Sequence, residues 1–466
     1  MESTNNKIDF NNENIFDIVI IGAGVAGMTA AQELIKKGKN VIIVEARNRI
    51  GGRVNPINFK GDHIDLGAQF IHGKSKLNPI MKLINCKKEN YTLHHVDWDD
   101  GYYYSGNGRS GQIPDGKLDK HYRLSQKALS IAHSKRKSIY KTKTREADCS
   151  LGEELRSAIE LLKKKTKNID IDLLNMCTKT EILDDYAVDI DKLSLCYWDQ
   201  DDEFNGGDCV ISKVGYQPIL NMLSDGLNIS LNQIVTNIKQ IEKEHIIVSC
   251  QNGSEFIGKK VISTLPLGVL KANTINFEPK LPKRLTESIN KLGFGNLEKV
   301  VIKFNQQFWP NDSDCFYNMS GNPFRLWLNV SHLYNTNNSK TLICFLAGSV
   351  AKKLVTDSND NDIAILALES LREIFGETIV SSENTIAIKL IDSIIVTRWC
   401  TDPFSLGSYS HIPRGTLPSD YDSFGRQYWN DMLHFAGEGT FKRFPGTVHG
   451  AILSGERAAN HCIGKS

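Results

Sequence analysis

Three glycines and one glutamate near the start of the chain have the residue types and spacing of a dinucleotide cradle. Gly22, Gly24 and Gly27 follow an apolar run rich in Ile and Val and open a segment of helical periodicity that includes Ala26. Such glycines permit a tight turn, leave room for a pyrophosphate and allow close helix–strand packing, while the helix N-terminus offers free N–H groups. Glu45 ends the next apolar run, where its carboxylate can accept hydrogen bonds from ribose hydroxyls.

A second glycine-rich loop follows directly. Ala46 and Arg47 lead into Gly51, Gly52 and Arg53, which add N–H donors and a cation for a second approach to phosphate. A nicotinamide dinucleotide needs nothing of this kind here, whereas a large group of flavoenzymes binds the longer FAD in this way. The combined segment resembles the flavin-containing amine oxidases and their wider superfamily.

The periodicity of the chain predicts the elements that hold these residues. Residues 17–21, 25–37 and 40–46 follow one another as strand, helix and strand, a βαβ unit with a parallel sheet. Further strands are predicted within 208–265, at 299–304 and at 341–347. A helix is predicted after the turn at 357–360, a strand–turn–helix block over 434–464, and a charged helical stretch over 128–168.

The resemblance implies a fold of the α/β and α+β classes with two interleaved domains. Residues 15–95, 206–288 and 392–466 would form a discontinuous, Rossmann-like (GR2-type) FAD-binding domain. Residues 96–205 and 289–391 would form a substrate-binding domain of a mixed sheet plus helices. Residues 1–14 are predicted to be a disordered N-terminal tail.

The family's FAD contacts map onto three further segments of this chain. The resemblance runs from about residue 16 to residue 463 and is weakest over 100–180. Near the flavin ring it implies Gly67, Ala68, Gln69 and Phe70, and beside the adenine it implies Val235, within a strand predicted over 229–242. In the C-terminal block it implies Gly437, Glu438, Thr447 and Val448, with Glu438 accepting from FAD hydroxyls and the last helix directing its positive end at the flavin. Amine oxidases with covalent flavin carry a cysteine near Tyr409, where this chain has Ser410 and His411, so FAD is expected to be non-covalent.

Five residues are expected to act in or beside the reaction. The family places a lysine at the position of Lys299, where it holds a water that hydrogen-bonds flavin N5. Trp399, also a cofactor contact, and Tyr409 would line the substrate end of the flavin. His72 matches a histidine near the substrate in several polyamine oxidases, with a purely structural histidine as the alternative. Thr447 stands where some amine oxidases have a second aromatic ring, which predicts a larger opening than a two-ring cage.

An acidic stretch is the predicted binding site for substrate. It is similar to segments of back-converting plant-type polyamine oxidases and of flavin-dependent histone lysine demethylases. Carboxylates attract a polycation and flanking aromatic rings seat its methylenes, whereas an ordinary acidic loop is the alternative. The residues concerned are Trp198, Asp199, Asp201, Asp202, Glu203 and Phe204, with Phe404 as a further predicted contact.

The resemblance implies oxidation of spermine, spermidine or their N-acetylated forms by hydride transfer to FAD. The products would be an imine and then an aldehyde, a shortened amine and hydrogen peroxide, with molecular oxygen as the electron acceptor. An N-methyl-lysine demethylase is the first alternative, disfavoured because Asp17 already begins the first strand and no long helical insertion is predicted. An L-amino-acid oxidase is also disfavoured, because it would need a cation to bind the carboxylate of its substrate, whereas the predicted substrate stretch is acidic. A non-catalytic FAD-binding scaffold would need none of Lys299, Tyr409 and Glu438.

Composition sets further limits on partners and location. The 56 Lys and Arg and 54 Asp and Glu give a formal charge of +2, which argues against a nucleic-acid partner. The basic clusters at 135–137 and 163–165 are interpreted as solvated helix faces, with a nucleic-acid or phosphoinositide patch as the alternative. Ten scattered cysteines without a C-x-x-C pair predict free thiols and no metal site. With no membrane span and no targeting signal, the sequence predicts a cytoplasmic protein, either monomer or homodimer.

Overall fold

The structure, a computed structural model, describes residues 15–86, 91–106, 111–142, 147–241, 244–336, 338–376 and 390–464, without the side chains at positions 138, 142 and 181. The tail predicted at residues 1–14 lies outside the described residues. The end of the basic segment at 135–145 lies outside them as well.

The strands of the described chain form several sheets of unequal size. They are β1 (Ile15–Ile21), β2 (Val41–Val44), β3 (Pro56–Phe59), β4 (Asp62–Asp65), β5 (Ile71–His72), β6 (Leu93–His95), β7 (Tyr102–Tyr104), β8 (Asp208–Ile211), β9 (Ile229–Ser230), β10 (Val235–Ile241), β11 (His245–Cys250), β12 (Glu255–Ser263), β13 (Asn276–Glu278), β14 (Gly293–Phe294), β15 (Leu297–Phe304), β16 (Cys315–Asn318), β17 (Leu326–Asn329), β18 (Thr341–Ala347), β19 (Ile391–Val396), β20 (Ser410–His411), β21 (Gln427–Tyr428) and β22 (Leu433–Phe435).

Helices cover both faces of the largest sheet and one side of the second. They are α1 (Val25–Ile35), α2 (Pro79–Cys86), α3 (Asp115–Ser134), α4 (Arg136–Thr142), α5 (Leu151–Lys165), α6 (Ile171–Tyr186), α7 (Gln217–Ser224), α8 (Leu267–Ala272), α9 (Lys283–Lys291), α10 (Val330–Leu333), α11 (Gly348–Asp357), α12 (Asp360–Phe375), α13 (Ser419–Phe424) and α14 (Val448–Cys462), with short 3₁₀ turns at Ile190–Lys192 and Glu438–Thr440.

The glycine cradle stands on the parallel part of a nine-stranded sheet. Its main strand order is β13-β10-β11-β12-β1-β2-β9, with β22 beside β12 and β21 beside β22. β1 pairs in parallel with β2 and with β12, and α1 connects β1 to β2, so the predicted βαβ unit is confirmed. The carboxyl ends of parallel strands meet at one edge of a sheet, and the pairing of Ile21 with Val44 therefore brings Gly22 beside Glu45.

α1 and α14 pack closely against each other beneath this edge. Gly455 of α14 makes the approach possible, because a Cβ at that position would lie 2.4 Å from the carbonyl oxygen of Ala26. The first residues of the two helices, Val25 and Val448, consequently line the same cavity.

Lys299 belongs to a second, six-stranded sheet of order β19-β15-β18-β17-β16-β7. Neighbouring strands are antiparallel except β16 and β7. β15 is buried on both faces, because α12 covers one side and an apolar cluster around Val301 and Tyr334 covers the other. The strands predicted at 299–304 and 341–347 are confirmed as β15 and β18, and the helix predicted after the turn at 357–360 is confirmed as α12.

Two local predictions are wrong. The stretch 208–265, predicted as strands and turns, contains the helix α7, which begins with Pro218 in its first turn, a favourable position for proline. The strand predicted over 229–242 is two strands, β9 and β10, because the chain turns between them at Asn232 with φ of +57°.

One strand crosses a predicted domain boundary. All strands of the nine-stranded sheet fall within 15–95, 206–288 and 392–466. β19 crosses the predicted boundary at residue 392 and pairs with β15 of the second sheet, so Ile391–Val396 lies with that sheet. The rest of the division into domains stays a prediction.

The charged helical stretch is divided among the end of α3, α4 and α5. The lysines at 163–165 are exposed, as a solvated face requires. Arg136 is not solvated: its side chain is 15% exposed and its Nη2 lies 2.7 Å from Asp199 Oδ1. The interpretation of 135–137 as a solvated face is therefore wrong at Arg136.

Two further predictions can be compared with the described chain. All ten cysteines are unpaired, which confirms the prediction of free thiols. Across the described ranges, no helix combines the length and the apolar character that a bilayer crossing requires.

Candidate functional site

One cavity of about 1850 Å³ extends from the glycine cradle to the six-stranded sheet. Every residue predicted for the site lines it except Gly27. Gly27 lies behind the lining for a packing reason, since a Cβ there would come within 2.0 Å of the Gly22 carbonyl oxygen. The predicted cofactor and substrate residues therefore surround one continuous space.

The nucleotide end of the cavity is organised by Glu45. Its buried carboxylate accepts hydrogen bonds from the N–H groups of Ala23 (2.7 Å) and Arg47 (2.9 Å). The second glycine-rich loop joins through a hydrogen bond from the Gly51 N–H to the Ala23 carbonyl oxygen (2.8 Å). The two glycine-rich loops thus form one wall.

Gly24 leaves open space where a phosphate group would approach. A Cβ built on Gly24 meets no atom within 4 Å, and the same is true at Gly437. Gly24 has φ of −75°, a conformation open to any residue, so neither backbone strain nor protein packing requires glycine there. The space lies in front of the α1 N-terminus, whose N–H groups and positive end suit a pyrophosphate.

Arg47 is held between an acid and two aromatic rings. Its Nη1 lies 2.7 Å from Asp402 Oδ2, and its guanidinium carbon lies 5.3 Å from the ring centre of Phe404 and 6.0 Å from that of Trp399. Phe404 is therefore on the cofactor side of the cavity, and its contact with substrate stays a prediction.

Glu438 connects the second glycine-rich loop to the C-terminal block. One carboxylate oxygen accepts from Arg53 Nη1 (2.7 Å), and the other accepts from Ser410 Oγ (2.6 Å) and the Gly446 N–H (2.9 Å). Both oxygens thus have protein donors. The role of Glu438 as an acceptor for cofactor hydroxyls stays a prediction.

Thr447 is the N-cap of α14. Its Oγ1 accepts from the Gly450 N–H (2.9 Å) and donates to the Phe444 carbonyl oxygen (2.9 Å). The hydroxyl proton is therefore used within the helix start, so we expect Thr447 to position α14 rather than to transfer a proton. Val448 begins the helix as predicted, which directs the positive end of α14 towards the cavity.

Lys299 is 3% exposed, although a lysine on an alternating strand usually reaches solvent. Its Nζ donates to the Asp65 carbonyl oxygen (2.6 Å) and to Gln69 Oε1 (2.5 Å), and lies 5.4 Å from the ring centre of Phe345. Burial lowers the pKa of Lys299 to about 7, against the opposing effect of the Asp65 charge. This amine can therefore gain or lose a proton near neutral pH.

Asp65 is the buried acid that accompanies Lys299. Its carboxylate accepts from the Tyr334 hydroxyl (2.9 Å) and from the Tyr216 N–H (3.1 Å). Burial raises the pKa of Asp65 to about 6, opposed by the charge of Lys299 and by these hydrogen bonds. Nearby, the buried Nε2 of Gln69 has no hydrogen-bond partner within the described residues, which leaves a donor on a residue that lines the cavity.

Aromatic rings lead from Lys299 into the cavity. Phe345 stands edge-on to Phe70 with ring centres 6.3 Å apart, and Phe70 lies 6.4 Å from the ring of His72. These rings give this part of the cavity wall an apolar surface.

Trp399 and Tyr409 are fixed by hydrogen bonds to backbone carbonyls. Trp399 Nε1 donates to the Leu66 carbonyl oxygen (3.1 Å), and the Tyr409 hydroxyl donates to that of Asp184. Both side chains line the cavity as predicted. Because their polar atoms are bound elsewhere, they present ring surface to the cavity, and their contact with substrate stays a prediction.

His72 stands in an acidic part of the cavity wall. Its Nδ1 lies 3.0 Å from Asp208 Oδ1, and Asp208 Oδ2 accepts from Trp98 Nε1 (3.0 Å). Desolvation lowers the pKa of His72, but the hydrogen bond to Asp208 and the charges of Asp208, Asp185 and Glu203 raise it more, so the net shift is upward. The ring is 51% exposed and lines the cavity, and its role beside the substrate stays a prediction.

Asp185 is an acid that sequence reasoning missed. It lines the cavity in the last turn of α6. Desolvation by the surrounding wall raises the pKa of Asp185 to about 7, the charge of His72 opposes this, and the charges of Asp184 and Asp208 add to it. Asp184 itself is ion-paired with Arg325. A signal was present in the sequence, because two acids at a helix C-terminus oppose the helix dipole.

The predicted acidic stretch is only partly available to a cation. Asp199 is paired with Arg136 and Asp202 with Arg443, so these two carboxylates already have a cation partner, and their contact with substrate stays a prediction. The two remaining acids of the stretch, Asp201 and Glu203, have no ion-pair partner in the described part of the chain. Burial raises the pKa of Asp201 to about 6.

The aromatic residues that flank this stretch pack against protein. Trp198 Nε1 lies 3.3 Å from His133 Nε2. Phe204 stacks on Phe444 with ring centres 4.6 Å apart. Both still line the cavity, and their contact with substrate stays a prediction.

Comparison with known proteins gives a family for this arrangement. The family described as "Flavin containing amine oxidoreductase" matches residues 25–463. Lysine-specific histone demethylase 1 homolog 2 of Oryza sativa subsp. japonica is 33% identical over 96% of this chain and 57% of its own length. Probable polyamine oxidase 4 of Arabidopsis thaliana is 29% identical over 96% of this chain and 86% of its own. Polyamine oxidase 5 of Oryza sativa subsp. japonica is 31% identical over 98% and 89%.

The chain is shorter than the demethylase relatives that it matches. It spans 57% of the rice demethylase homolog above and 30% of Lysine-specific histone demethylase 1 homolog 3 of Arabidopsis thaliana. The activity of those longer proteins is therefore a matter of proposal for this chain.

The geometry fits the cofactor of the matched family. One cavity is lined by Gly24 with its open space, by the first residues of α1 and α14, and by Gln69, whose Nε2 has no partner within the described residues. No cysteine lines this cavity. The chain belongs to the flavin-containing amine oxidoreductase family, and its cofactor is FAD held without a covalent bond.

Proposed function

We propose that this chain oxidises polyamines, namely spermine, spermidine or their N-acetylated forms, with molecular oxygen as the electron acceptor. The observation that carries the proposal is the sequence of groups along the cavity. Lys299 lies at one end, the rings of Phe345 and Phe70 follow, and His72 with its neighbouring acids lies beyond them. A flexible, apolar chain with several ammonium groups matches this order.

The two sheets support a division of labour that we propose for the fold. The parallel β1–α1–β2 unit and its glycine cradle support a Rossmann-like FAD-binding domain. The six-stranded sheet, which carries Lys299 on β15, supports a substrate-binding domain.

Binding of a polyamine would be governed by the acidic wall. Asp185, Asp208 and Glu203 would accept hydrogen bonds from an ammonium group, each worth about 1.5–3 kcal/mol for a charged pair. An incoming ammonium would also lower the raised pKa of Asp185 by its charge. The methylenes between the ammonium groups would pack on Phe70 and Phe345.

The reacting amine must be neutral before a hydride can leave the carbon beside its nitrogen. FAD, when bound, supplies the acceptor for that hydride. The surfaces of Trp399 and Tyr409 would surround the reacting end and disfavour its ammonium form by desolvation. Lys299 would hold a proton or a water at Nζ beside the reacting atoms. Water would then convert the imine to an aldehyde and a shortened amine, and molecular oxygen would be released as hydrogen peroxide after taking up the two electrons of the hydride and two protons.

A methyl-lysine peptide is the second candidate substrate. It is favoured by the 33% identity to a histone demethylase homolog, because removal of a methyl group by oxidation is the same chemistry on another amine. A demethylase of this kind would be expected to carry a long helical insertion. In the described ranges the longest helix is α3, with 20 residues, which favours the polyamine.

A peroxide assay with a panel of amines tests the proposal. Purified FAD-loaded protein would receive spermine, spermidine, N-acetylspermine, a monoamine and a dimethyl-lysine peptide in separate reactions. We expect peroxide with the polyamines and little with the monoamine, which lacks a second ammonium for the acidic wall. Turnover of the peptide alone would reverse the choice of substrate, and no turnover with any amine would favour a scaffold.

A further inference from the structure

Two histidines and an aspartate from distant parts of the chain converge outside the catalytic cavity. His94 lies on β6, Asp314 directly before β16, and His332 on α10. Their candidate ligand atoms all lie within 4.8 Å of one another. None of the three residues lines the large cavity, and the reaction proposed above does not use them.

The two imidazoles approach the same carboxylate oxygen. His94 Nε2 is 2.8 Å and His332 Nδ1 is 2.9 Å from Asp314 Oδ1. Asp314 is 4% exposed, and no lysine or arginine pairs with it in the described part of the chain. A buried carboxylate needs a cation or several donors, and here two nitrogen atoms that can each bind a metal face it.

We propose that His94, Asp314 and His332 bind a Zn²⁺ ion. Zn²⁺ takes imidazole nitrogen and carboxylate oxygen at about 2.0–2.2 Å in tetrahedral sites, and small rotations of the three side chains would move their ligand atoms apart to admit it. Two imidazoles select Zn²⁺ over Mg²⁺ and Ca²⁺, which prefer oxygen ligands only.

The fourth coordination position has an opening. A separate cleft of about 510 Å³ is lined by His94 and His332 together with Asn311, Ser331, Asn335 and Thr336, among others. A water molecule could reach the metal from this cleft. The other carboxylate oxygen of Asp314, Oδ2, accepts a hydrogen bond from the Asp97 N–H (3.3 Å).

The site would join two elements that support the catalytic cavity. β6 pairs with β8, whose Asp208 binds His72. Tyr334, two residues after His332, donates to Asp65 beside Lys299. A metal that ties β6 to α10 would therefore hold both supports in place, and because it binds the folded chain only, it would stabilise it.

Three variants separate a metal site from a hydrogen-bonded cluster. His332→Asn retains a donor at the position of Nδ1, and His94→Gln retains one at the position of Nε2, so both can keep their hydrogen bond to Asp314 without offering an imidazole. Asp314→Asn removes the carboxylate. His63→Asn is the matched control, because it removes an imidazole from β4, outside the triad.

The experiment uses tag-free, FAD-loaded protein that has been dialysed against EDTA and then titrated with ZnCl₂ by calorimetry. We expect one Zn²⁺ per chain, at least about a 100-fold weaker affinity in each triad variant, and wild-type affinity in His63→Asn. We also expect Zn²⁺, and not Mg²⁺, to raise the Tm of the wild type by at least about 2 °C. FAD absorbance in each variant verifies that it is folded.

Two results would overturn the proposal. One is the lack of stoichiometric Zn²⁺ binding by the wild type, which would mean that the triad is a hydrogen-bonded cluster only. The other is unchanged Zn²⁺ affinity in His332→Asn and Asp314→Asn, which would place any bound zinc elsewhere.

Discussion

Burial moves the pKa values of Lys299 and Asp65 in opposite directions. It lowers the pKa of Lys299 to about 7 and raises that of Asp65 to about 6, while the opposite charges of the two groups counter both shifts. A lysine poised near neutrality is suited to proton transfer. The same pair is also part of the core, so a substitution at Lys299 must be compared with one of similar chemistry nearby.

Replacement of Lys299 by methionine should slow the reaction while FAD stays bound. We expect a loss of about 100-fold in either flavin reduction by spermine or flavin reoxidation, because a general acid or base typically contributes about 10²–10⁴-fold. Stopped-flow absorbance at the flavin band measures both steps. Lys303→Met on the same strand is the control, since Lys303 pairs with Asp62 rather than facing the cavity. Wild-type kinetics in Lys299→Met would exclude the role.

Replacement of Asp185 by asparagine should raise the KM for spermine about 10-fold or more, because it removes a carboxylate from the cavity wall. The matched variant Asp202→Asn should change KM less, since Asp202 is already paired with Arg443. Steady-state peroxide release over a range of spermine concentrations gives the KM of each variant. Equal effects in the two variants would contradict the different roles of these acids.

At the scale of elements, the turn after β1 and the loop after β2 could be predicted from sequence. Gly27 answers a local packing requirement, because a Cβ there would lie 2.0 Å from the Gly22 carbonyl oxygen, and Gly24 leaves open space for the cofactor, so both leave a pattern in the sequence. The sheet to which β19 belongs could not be predicted from sequence, because it is decided by pairing with β15, which is distant in the chain. The two acids at the C-terminus of α6 are visible in the sequence, but the place of Asp185 in the cavity wall could not be predicted, because it depends on how α6 packs.

The two glycines Gly24 and Gly27 allow a test of the cradle. Gly24→Ala adds a methyl group that meets no protein atom within 4 Å, so the apoprotein should fold with an unchanged Tm but bind FAD at least about 10-fold more weakly. Gly27→Ala, in contrast, should impair folding itself. Fluorescence titration of apoprotein with FAD measures the affinity. If Gly24→Ala bound FAD as tightly as the wild type, the pyrophosphate would lie elsewhere.

For the whole molecule, two buried histidines connect stability to pH. Desolvation lowers the pKa of His411 and of His449 to about 3, well below the value of an unfolded chain. As pH falls below about 6.5, these two histidines bind protons in the unfolded state but stay neutral in the folded state. Stability present above pH 6.5 is therefore lost as the pH falls towards the folded pKa values.

We expect each histidine to destabilise the fold by up to about 2 kcal/mol between pH 7.5 and pH 5. The raised pKa values of Asp65, Asp185 and Asp201 act in the opposite direction over the same range, so the histidine contribution is measured as the difference in urea midpoint between the wild type and a histidine variant at each pH. His449→Phe should reduce this dependence, because it removes the titrating ring yet can keep the edge contacts with Phe204 and Phe444. His63→Asn serves as the control. A pH dependence unchanged in His449→Phe would contradict the assignment of His449.

The formal charge of the molecule, +2, gives no indication of an acidic cavity. Ion pairs such as that of Asp199 with Arg136 neutralise part of the predicted acidic stretch. Asp185 of α6 and Asp208 of β8 add further carboxylates to the cavity wall. The nucleotide cradle could be read from residue spacing, whereas the acidic wall and the His94 triad required the folded chain. Their members are far apart in sequence and share no motif.

The central claim is that a polyamine, seated on the acidic wall, gives its hydride to FAD in this chain. Anaerobic mixing of the FAD-loaded protein with spermine tests it without any dependence on oxygen. The account predicts rapid bleaching of the flavin band with spermine and much slower bleaching with a dimethyl-lysine peptide at equal concentration. Bleaching by the peptide but not by spermine would contradict it.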